Sequence, residues 1–506
     1  MSPSRTFLAD AGDVDGAWIT LPRWDVDEDG IIVRAGPRDA LASVPVAEVV
    51  RDFGRAVVLP GFVNAHSHAF QRGIRGATHH RNHDDDDFWS WRTAMYGAAT
   101  QLDPDGVFEI TRRAFAEMLA VGITCVGEFH YLHHRPDGSR YDAPDLLSEQ
   151  IVRAAAHVGI RLVLLETYYE RAGHGAPALP EQRRFCDGSV EAYLERLERL
   201  RARGVAVGIA PHSVRAVSAP SLRALAEHAN THGLPLHAHV SEQPRENQLC
   251  MAEHGCSPLQ LLRDSGCLDR PGAFTAVHAI HVDDDDRRLL AGHQVCACPT
   301  TEADLGDGIV PASSYAEAGV RIALGSDSNT VIDLLQEARW LELGERWRTG
   351  RRVRLAAAGV GLGGVLLRMC TRDGARALGR PELGSLRAGA PFDAAVIGRD
   401  HRVLESVADH DLLDAILMAG TGALVTHVVV GGRGSCREPP TAPRVRDVRL
   451  GCGGRWLCQP HRRAHESGLR GRTARRAGTH DRRRRSTQPA ATGSPTHEPD
   501  RMVRPR

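Results

Sequence analysis

Between Phe62 and Ser328 the sequence alternates short apolar runs with longer amphipathic stretches, and eight of the runs end near a polar residue. These ends are His66, His130, Thr167, His212, His239, His278, Thr300 and Asp327. Such alternation is the pattern of repeated strand–helix units. The stretches 105–121, 146–158, 190–203 and 218–232 carry apolar residues at helical spacing and supply the helices. Eight units predict a closed (β/α)8 TIM-like barrel. In that architecture the residues at the carboxyl ends of the strands converge on one mouth, where catalytic groups sit.

The strand-end residues are therefore the candidates for chemistry. Pro60-Gly-Phe-Val-Asn-Ala-His66-Ser-His68 closes the first run with two imidazoles one residue apart. Residues i and i+2 of a strand point the same way, so His66 and His68 can both offer a ring nitrogen to one cation. Alone, such a pair is more often two unrelated histidines, and its partners decide. Leu234-Pro-Leu-His-Ala-His239-Val-Ser-Glu242 brings an imidazole and a carboxylate, Phe274-Thr-Ala-Val-His278 an imidazole, and Arg321-Ile-Ala-Leu-Gly-Ser-Asp327 a carboxylate. Four such segments, all at strand ends, predict a mononuclear metal site.

A chain of 506 residues with 42% apolar content can bury one large core and a smaller one. Short alternating segments at 17–21, 31–34 and 56–59, resumed by Phe392-Asp-Ala-Ala-Val-Ile, predict a small β-sandwich formed by 1–59 and 386–433 around a barrel of 60–385. After Gly434 the composition turns to Arg, Pro, Gly and Thr, with about eighteen arginines against about six acids. A segment so poor in apolar residues predicts a disordered tail over 434–506 and a sandwich lacking its final strand. The tail has no aromatic interleaving for base stacking, so nucleic acid is not the expected partner. Cys452, Cys458, His461 and His465 imitate zinc-finger spacing without an apolar core to organise. The aspartate runs at 84–87 and 283–286 read as solvated loops or helix starts. Cys296-Ala-Cys298 reads as part of a strand, and the cysteines form no paired framework. No stretch approaches the ~18 apolar residues of a membrane span, and the start carries no signal-peptide pattern, so the expectation is a cytoplasmic protein with no membrane partner.

With these residues placed, the chain resembles the amidohydrolase superfamily, whose barrel members use His-x-His, a His after strand five, a His after strand six and an Asp after strand eight. The segments His66-Ser-His68-Ala-Phe-Gln71-Arg, Asp87-Phe-Trp-Ser-Trp-Arg92, Glu128-Phe-His-Tyr131-Leu-His-His134, His212-Ser-Val-Arg215-Ala-Val, Thr301-Glu-Ala-Asp-Leu-Gly-Asp-Gly308 and Gly325-Ser-Asp-Ser328 look like its branch acting on N-formimino-L-glutamate. The resemblance covers about residues 10–433. It implies hydrolysis of N-formimino-L-glutamate to N-formyl-L-glutamate and ammonia, as in histidine degradation, and by analogy a homodimer. One Zn²⁺ per subunit would be held by His66, His68, His239 and Asp327. Asp327 would also accept a proton from water, and His278 would orient the nucleophile or stabilise the tetrahedral centre. By resemblance Glu242 would contact the formimino nitrogen and carry a proton to the leaving ammonia. Gln71, Tyr131 and His212 would complete the substrate pocket, and the planar fork of Arg215 suits a substrate carboxylate. The nearest alternative is another deaminase of this fold, acting on a purine or nucleoside. Arg215 weighs against it, because a neutral ring gives a guanidinium nothing to pair with. A non-catalytic barrel with the Arg-rich tail as an interaction arm is opposed by the presence of every site residue.

Overall fold

A computed structural model describes residues 4–47, 49–80, 87–356 and 359–436. Its centre is an eight-stranded parallel sheet of β1 (Phe62–Ser67), β2 (Ile123–His130), β3 (Arg161–Tyr168), β4 (Val207–Pro211), β5 (Leu236–Val240), β6 (Phe274–His278), β7 (Gln294–Ala297) and β8 (Arg321–Leu324), each paired with its neighbour in sequence order. The barrel is closed just beyond β8, where Ser67 bridges Asp327. The backbone N–H of His68 donates to the Asp327 carbonyl at 2.8 Å, and that of Asp327 donates to the His66 carbonyl at 3.0 Å. Strands covered on both faces read as continuous apolar runs, which is why the sequence signalled them.

Six strands end within about two residues of the expected position; β8 stops at Leu324, three residues before Asp327, and β7 also falls short. The seventh run was expected to extend to Thr300, but β7 stops at Ala297 because Pro299 opens the helix Pro299–Leu305. Proline lacks a ladder donor and its fixed φ suits a first helical turn. The expected helices appear as Pro104–Ala120, Leu146–Val158, Val190–Ala202 and Ala219–His232. The Asp103 side chain caps the first and Ser189 the third, while Gly159 and Gly233, both left-handed, end the second and fourth.

The small domain is a sandwich of a four-stranded sheet (Ile32–Pro37, Pro22–Val26, Arg5–Leu8, Val49–Asp52) and a six-stranded one (Arg433–Cys436, Val425–Val430, Ala394–Gly398, Ala56–Pro60, Ala11–Val14, Ala17–Thr20). Phe7, Trp24, Ile32, Val58, Phe392 and Val396 form its core, with the Phe7 and Phe392 rings stacked at 4.3 Å. The expectation that its last strand is missing is wrong. Gly431 and Gly432, at φ 56° and 69°, turn the chain so that Arg433–Cys436 pairs antiparallel with Val425–Val430, and the domain runs to at least Cys436 rather than to 433. The domain is tied to the barrel through Asp393, which accepts from Arg161 Nε at 2.6 Å and from the Gly431 N–H at 2.7 Å.

Asp87 and Asp283 cap the helices Phe88–Ala99 and Asp284–Leu289, so both aspartate runs end as helix starts. Asp84 to Asp86, the Cys452, Cys458, His461 and His465 cluster, and the tail beyond Cys436 lie outside the described residues. Cys296 and Cys298 join Ala65, Val277, Ala323 and Ala377 in a cluster of small buried side chains drawn largely from β1, β6, β7 and β8. The eight cysteines from Cys125 to Cys370 are free, and among the described residues no helix is long and apolar enough to cross a membrane.

Candidate active site

His66, within the irregular end of β1, and His68 just beyond it meet His239 from β5 and Asp327 from the loop after β8 at one point. His66 Nε2 lies 3.2 Å from His68 Nε2, which lies 3.3 Å from His239 Nε2, and Asp327 Oδ1 is 3.3 Å from both His66 Nε2 and His68 Nε2. Four ligands at ~2.0–2.1 Å from a tetrahedral centre stand about 3.3 Å apart, so the spacing matches a shared cation. The protons support this. Nδ1 of His68 donates to the Phe129 carbonyl at 2.9 Å, and Nδ1 of His239 donates to the His212 carbonyl at 3.0 Å. A carbonyl can only accept, so in the neutral ring the lone pair is on Nε2, and the lone pairs face one another. Burial keeps the rings neutral: it lowers His68 and His239, and it lowers His66 to about 3 against the hydrogen bond to Asp327. Burial would raise the Asp327 carboxyl, but the hydrogen bond from His66 and the fields of His66, His278 and His68 hold it below the usual carboxylate range. Three neutral imidazoles and one carboxylate, all buried, fit one divalent cation.

Side-chain hydrogen bonds hold these four residues in place. Asn64 donates to Ser326 Oγ at 2.7 Å and accepts the Ser326 N–H at 3.0 Å, and Asn329 Nδ2 donates to Ser67 Oγ at 3.1 Å, clamping the end of β1 against the loop after β8. Glu128, also buried, accepts the Ala69 N–H at 2.6 Å and so fixes the turn after His68. Asp327 at φ 43° and His278 at φ 66° are left-handed without being glycine, a strain that persists only where the surroundings over-determine it.

Around this cradle stand the remaining expected residues. His278 Nε2 is 3.7 Å from Asp327 Oδ2 and 3.6 Å from Glu242 Oε1. Burial opposes its charge, but Glu242, the hydrogen bond to Glu302 and Asp327 prevail and raise its pKa well above the ordinary value. Glu242 also accepts from Arg215 Nη2 at 2.9 Å, with Glu246 3.9 Å from Arg215 Nε. Gln71 Nε2 donates to the Tyr131 hydroxyl at 3.0 Å, and the His212 ring packs 5.7 Å from that of Tyr131 and 4.8 Å from that of His239. Gln71, Tyr131, His212, Arg215, Glu242, His68, His239 and Asp327 line one cavity; His66 and His278 are fully buried.

The same cavity is walled by a group to which the sequence reading gave no role. Phe88, Trp91, Arg92, Met95 and Tyr96 reach it from the helix Phe88–Ala99, between β1 and the helix leading to β2. Arg92 donates to the Tyr96 hydroxyl, and to the Tyr169 hydroxyl at 3.1 Å, and Gln182 Nε2 donates to the same two oxygens at 2.9 and 2.8 Å. The cavity thus carries two guanidinium groups. The only sequence signal was the Asp-capped Phe-Trp-Ser-Trp-Arg cluster.

Comparison with known proteins bears on this arrangement. The Amidohydrolase family model matches residues 57–433. The chain belongs to the amidohydrolase family. It is accordingly a hydrolase of a carbon–nitrogen bond. It is 39% identical over 440 residues to formimidoylglutamate deiminase of Pseudomonas aeruginosa, covering 85% of this chain and 94% of that protein. It is 30% identical over 444 residues to 8-oxoguanine deaminase of the same organism, covering 85% and 92%. Among solved structures, an amidohydrolase from Brucella melitensis superposes with a TM-score of 0.77 at 33% identity, over 85% of this chain and 94% of that one. An adenosine deaminase from Xanthomonas campestris with bound zinc, at 0.73 and 22% identity over 86% and 93%, shares the fold.

Proposed function

We propose that this protein hydrolyses N-formimino-L-glutamate to N-formyl-L-glutamate and ammonia, with zinc as the cation in the cradle of His66, His68, His239 and Asp327. The observation that carries the substrate is the pair Arg215 and Arg92 in the cavity that the cradle opens on. A molecule with an amidine-like head and two carboxylates suits a site with acids at one end and guanidiniums beyond them. The 39% identity to formimidoylglutamate deiminase supports the same choice, and the zinc of the Xanthomonas structure supports the metal.

When bound, such a cation supplies the Lewis acidity that makes water a nucleophile at neutral pH. The rest falls to side chains. Asp327 accepts a proton from the attacking water as oxygen bonds to the formimino carbon. His278 Nε2, between Asp327 Oδ2 and Glu242 Oε1, steadies the negative charge that develops at that carbon's substituents. Glu242 takes the proton of the water-derived hydroxyl and passes it to the departing nitrogen, so that the carbon–oxygen double bond forms as the carbon–nitrogen bond breaks and ammonia leaves. Arg215, paired with Glu242, shares its guanidinium with one carboxylate of the substrate, and Arg92, held by the Tyr96 and Tyr169 hydroxyls, faces the other. Gln71, Tyr131 and His212 shape the space between.

The test is ammonia release from N-formimino-L-glutamate by protein of known metal content. Turnover together with one zinc per chain is the expected result. Robust turnover of 8-oxoguanine or adenosine, with none of formiminoglutamate, would sink the assignment.

A further inference from the structure

We propose that Glu302 is a positioning residue for this hydrolysis, fixing the His278 ring so that Nε2 faces Glu242 and Asp327. The inference rests on the reading above that His278 acts on the reacting carbon. Glu302 stands one turn into the helix Pro299–Leu305, is 2% exposed, and is not among the residues lining the cavity. Its Oε1 takes the Cys298 N–H at 2.8 Å and lies 3.2 Å from His278 Nδ1. A second anchor ties its own backbone, since the Asp307 N–H donates to the Glu302 carbonyl at 2.9 Å. An ionised carboxylate can only accept, so the proton of that contact belongs to Nδ1. Nε2 is then the ring nitrogen turned to the reaction, where it stands with no hydrogen-bond partner, 3.6 Å from Glu242 and 3.7 Å from Asp327.

The arrangement matters because His278 ends β6 in a left-handed conformation, so strand geometry does not dictate where its ring points. A carboxylate behind a histidine ring fixes its orientation, and losing such a partner typically costs 10–100-fold in activity. Cys298 brings a second reading into view. His278, Cys298 and Glu302 offer donor atoms within 4.8 Å of one another, so a second cation there would make Glu302 a ligand instead.

The experiment compares holoenzyme carrying Glu302→Ala or Glu302→Gln with wild type, in kinetics, metal content and the ¹⁵N spectrum of selectively labelled histidine, His278→Asn identifying the resonance. Glu302→Ala should lower kcat by about 10²-fold with KM within about threefold and one metal per chain retained. Glu302→Gln should recover to within about tenfold of wild type, because the Cys298 N–H pins the amide oxygen where Oε1 stands and keeps an acceptor for Nδ1. The Nδ1 proton of His278 should be protected from exchange in wild type and Glu302→Gln and exposed in Glu302→Ala. This spectroscopic arm needs no turnover, so a wrong substrate and a wrong role for Glu302 give different results. Wild-type kcat in Glu302→Ala, or a His278 signal indifferent to both substitutions, would overturn the proposal. Two metals in wild type with one lost from each variant would overturn it too.

Discussion

Arg215 offers the sharpest test of what the cavity recognises. It is 5% exposed, donates from Nη2 to Glu242 at 2.9 Å, keeps Nη1 without a partner, and has Glu246 3.9 Å from Nε. Arg215→Lys preserves the charge between two buried acids and removes the planar two-donor fork. One hydrogen bond to a charged group is worth about 1.5–3 kcal/mol, which at about 1.36 kcal/mol per decade is a loss of roughly 13- to 160-fold in kcat/KM. Unfolding free energy should move by no more than about 1 kcal/mol, since the ion pair survives. Arg215→Met behaves differently, leaving Glu242 and Glu246 buried without a counter-charge at a cost of about 3–5 kcal/mol. Its stability should fall most at high pH. Burial already raises the Glu246 carboxyl against the field of Arg215, and a raised acid contributes stability present below its unfolded value and lost as pH climbs through the folded one. Without Arg215 that window extends upward. The assay is ammonia release from formiminoglutamate and from an analogue with one carboxylate converted to an amide, alongside urea unfolding. If the Lys penalty is equal for both substrates, Arg215 acts only through Glu242. Unchanged kinetics for Lys and Met alike would mean the carboxylate is held elsewhere.

Further expectations concern the cradle, the pH response and the chain end. Asp327→Asn removes a ligand and a proton acceptor together and should cost at least ~10² in rate and lower the bound metal, read by metal analysis and turnover; near-normal kcat would exclude the role. Gly325→Ala would set a Cβ 2.8 Å from the His66 Cβ and carbonyl and 2.9 Å from Cys298 Sγ. That overpacking should cost about 1–3 kcal/mol in stability and weaken metal retention on dialysis, and an unaltered metal content would show that the barrel interior gives way more readily than argued. His130 is held near 3 by burial and by the field of Arg196, so it stabilises the fold above its unfolded value of 6.5 and that stability is lost as pH falls toward 3. From pH 7 to 5.5 this amounts to about 1 kcal/mol, which His130→Asn should remove from the pH dependence of urea unfolding; identical slopes would refute it. Truncation after Cys436 should leave activity and Tm intact, whereas truncation after Gly432 takes away the edge strand Arg433–Cys436 and should lower Tm, a difference that thermal unfolding of the two proteins measures.

The residues the sequence revealed and those it hid differ in a physical way. His66, His68, His239 and Asp327 were legible because they sit at fixed offsets from apolar runs that parallel strands must have, and strand ends of a barrel converge without further instruction. Arg92 has no such offset. Its helix lies in the connection from β1 ahead of the helix Pro104–Ala120, and only tertiary packing brings it over the mouth. The strand Arg433–Cys436 was hidden for the opposite reason: its sequence, Arg-Gly-Ser-Cys, has no alternation to detect, and its pairing with Val425–Val430 makes it a strand.

Strain is the remaining thing no pattern encodes. The segment Gly325-Ser-Asp-Ser328 sets Asp327 at positive φ while its backbone pairs with both His66 and His68 to close the barrel. The pairing that completes the fold and the placement of Asp327 are therefore one event. Three neutral imidazoles and a carboxylate are brought within contact of one another by barrel closure itself, at a cost in strain and lone-pair repulsion that a cation in the cradle would offset. Closure and metal binding should stabilise each other, because binding to the folded state alone adds directly to its stability.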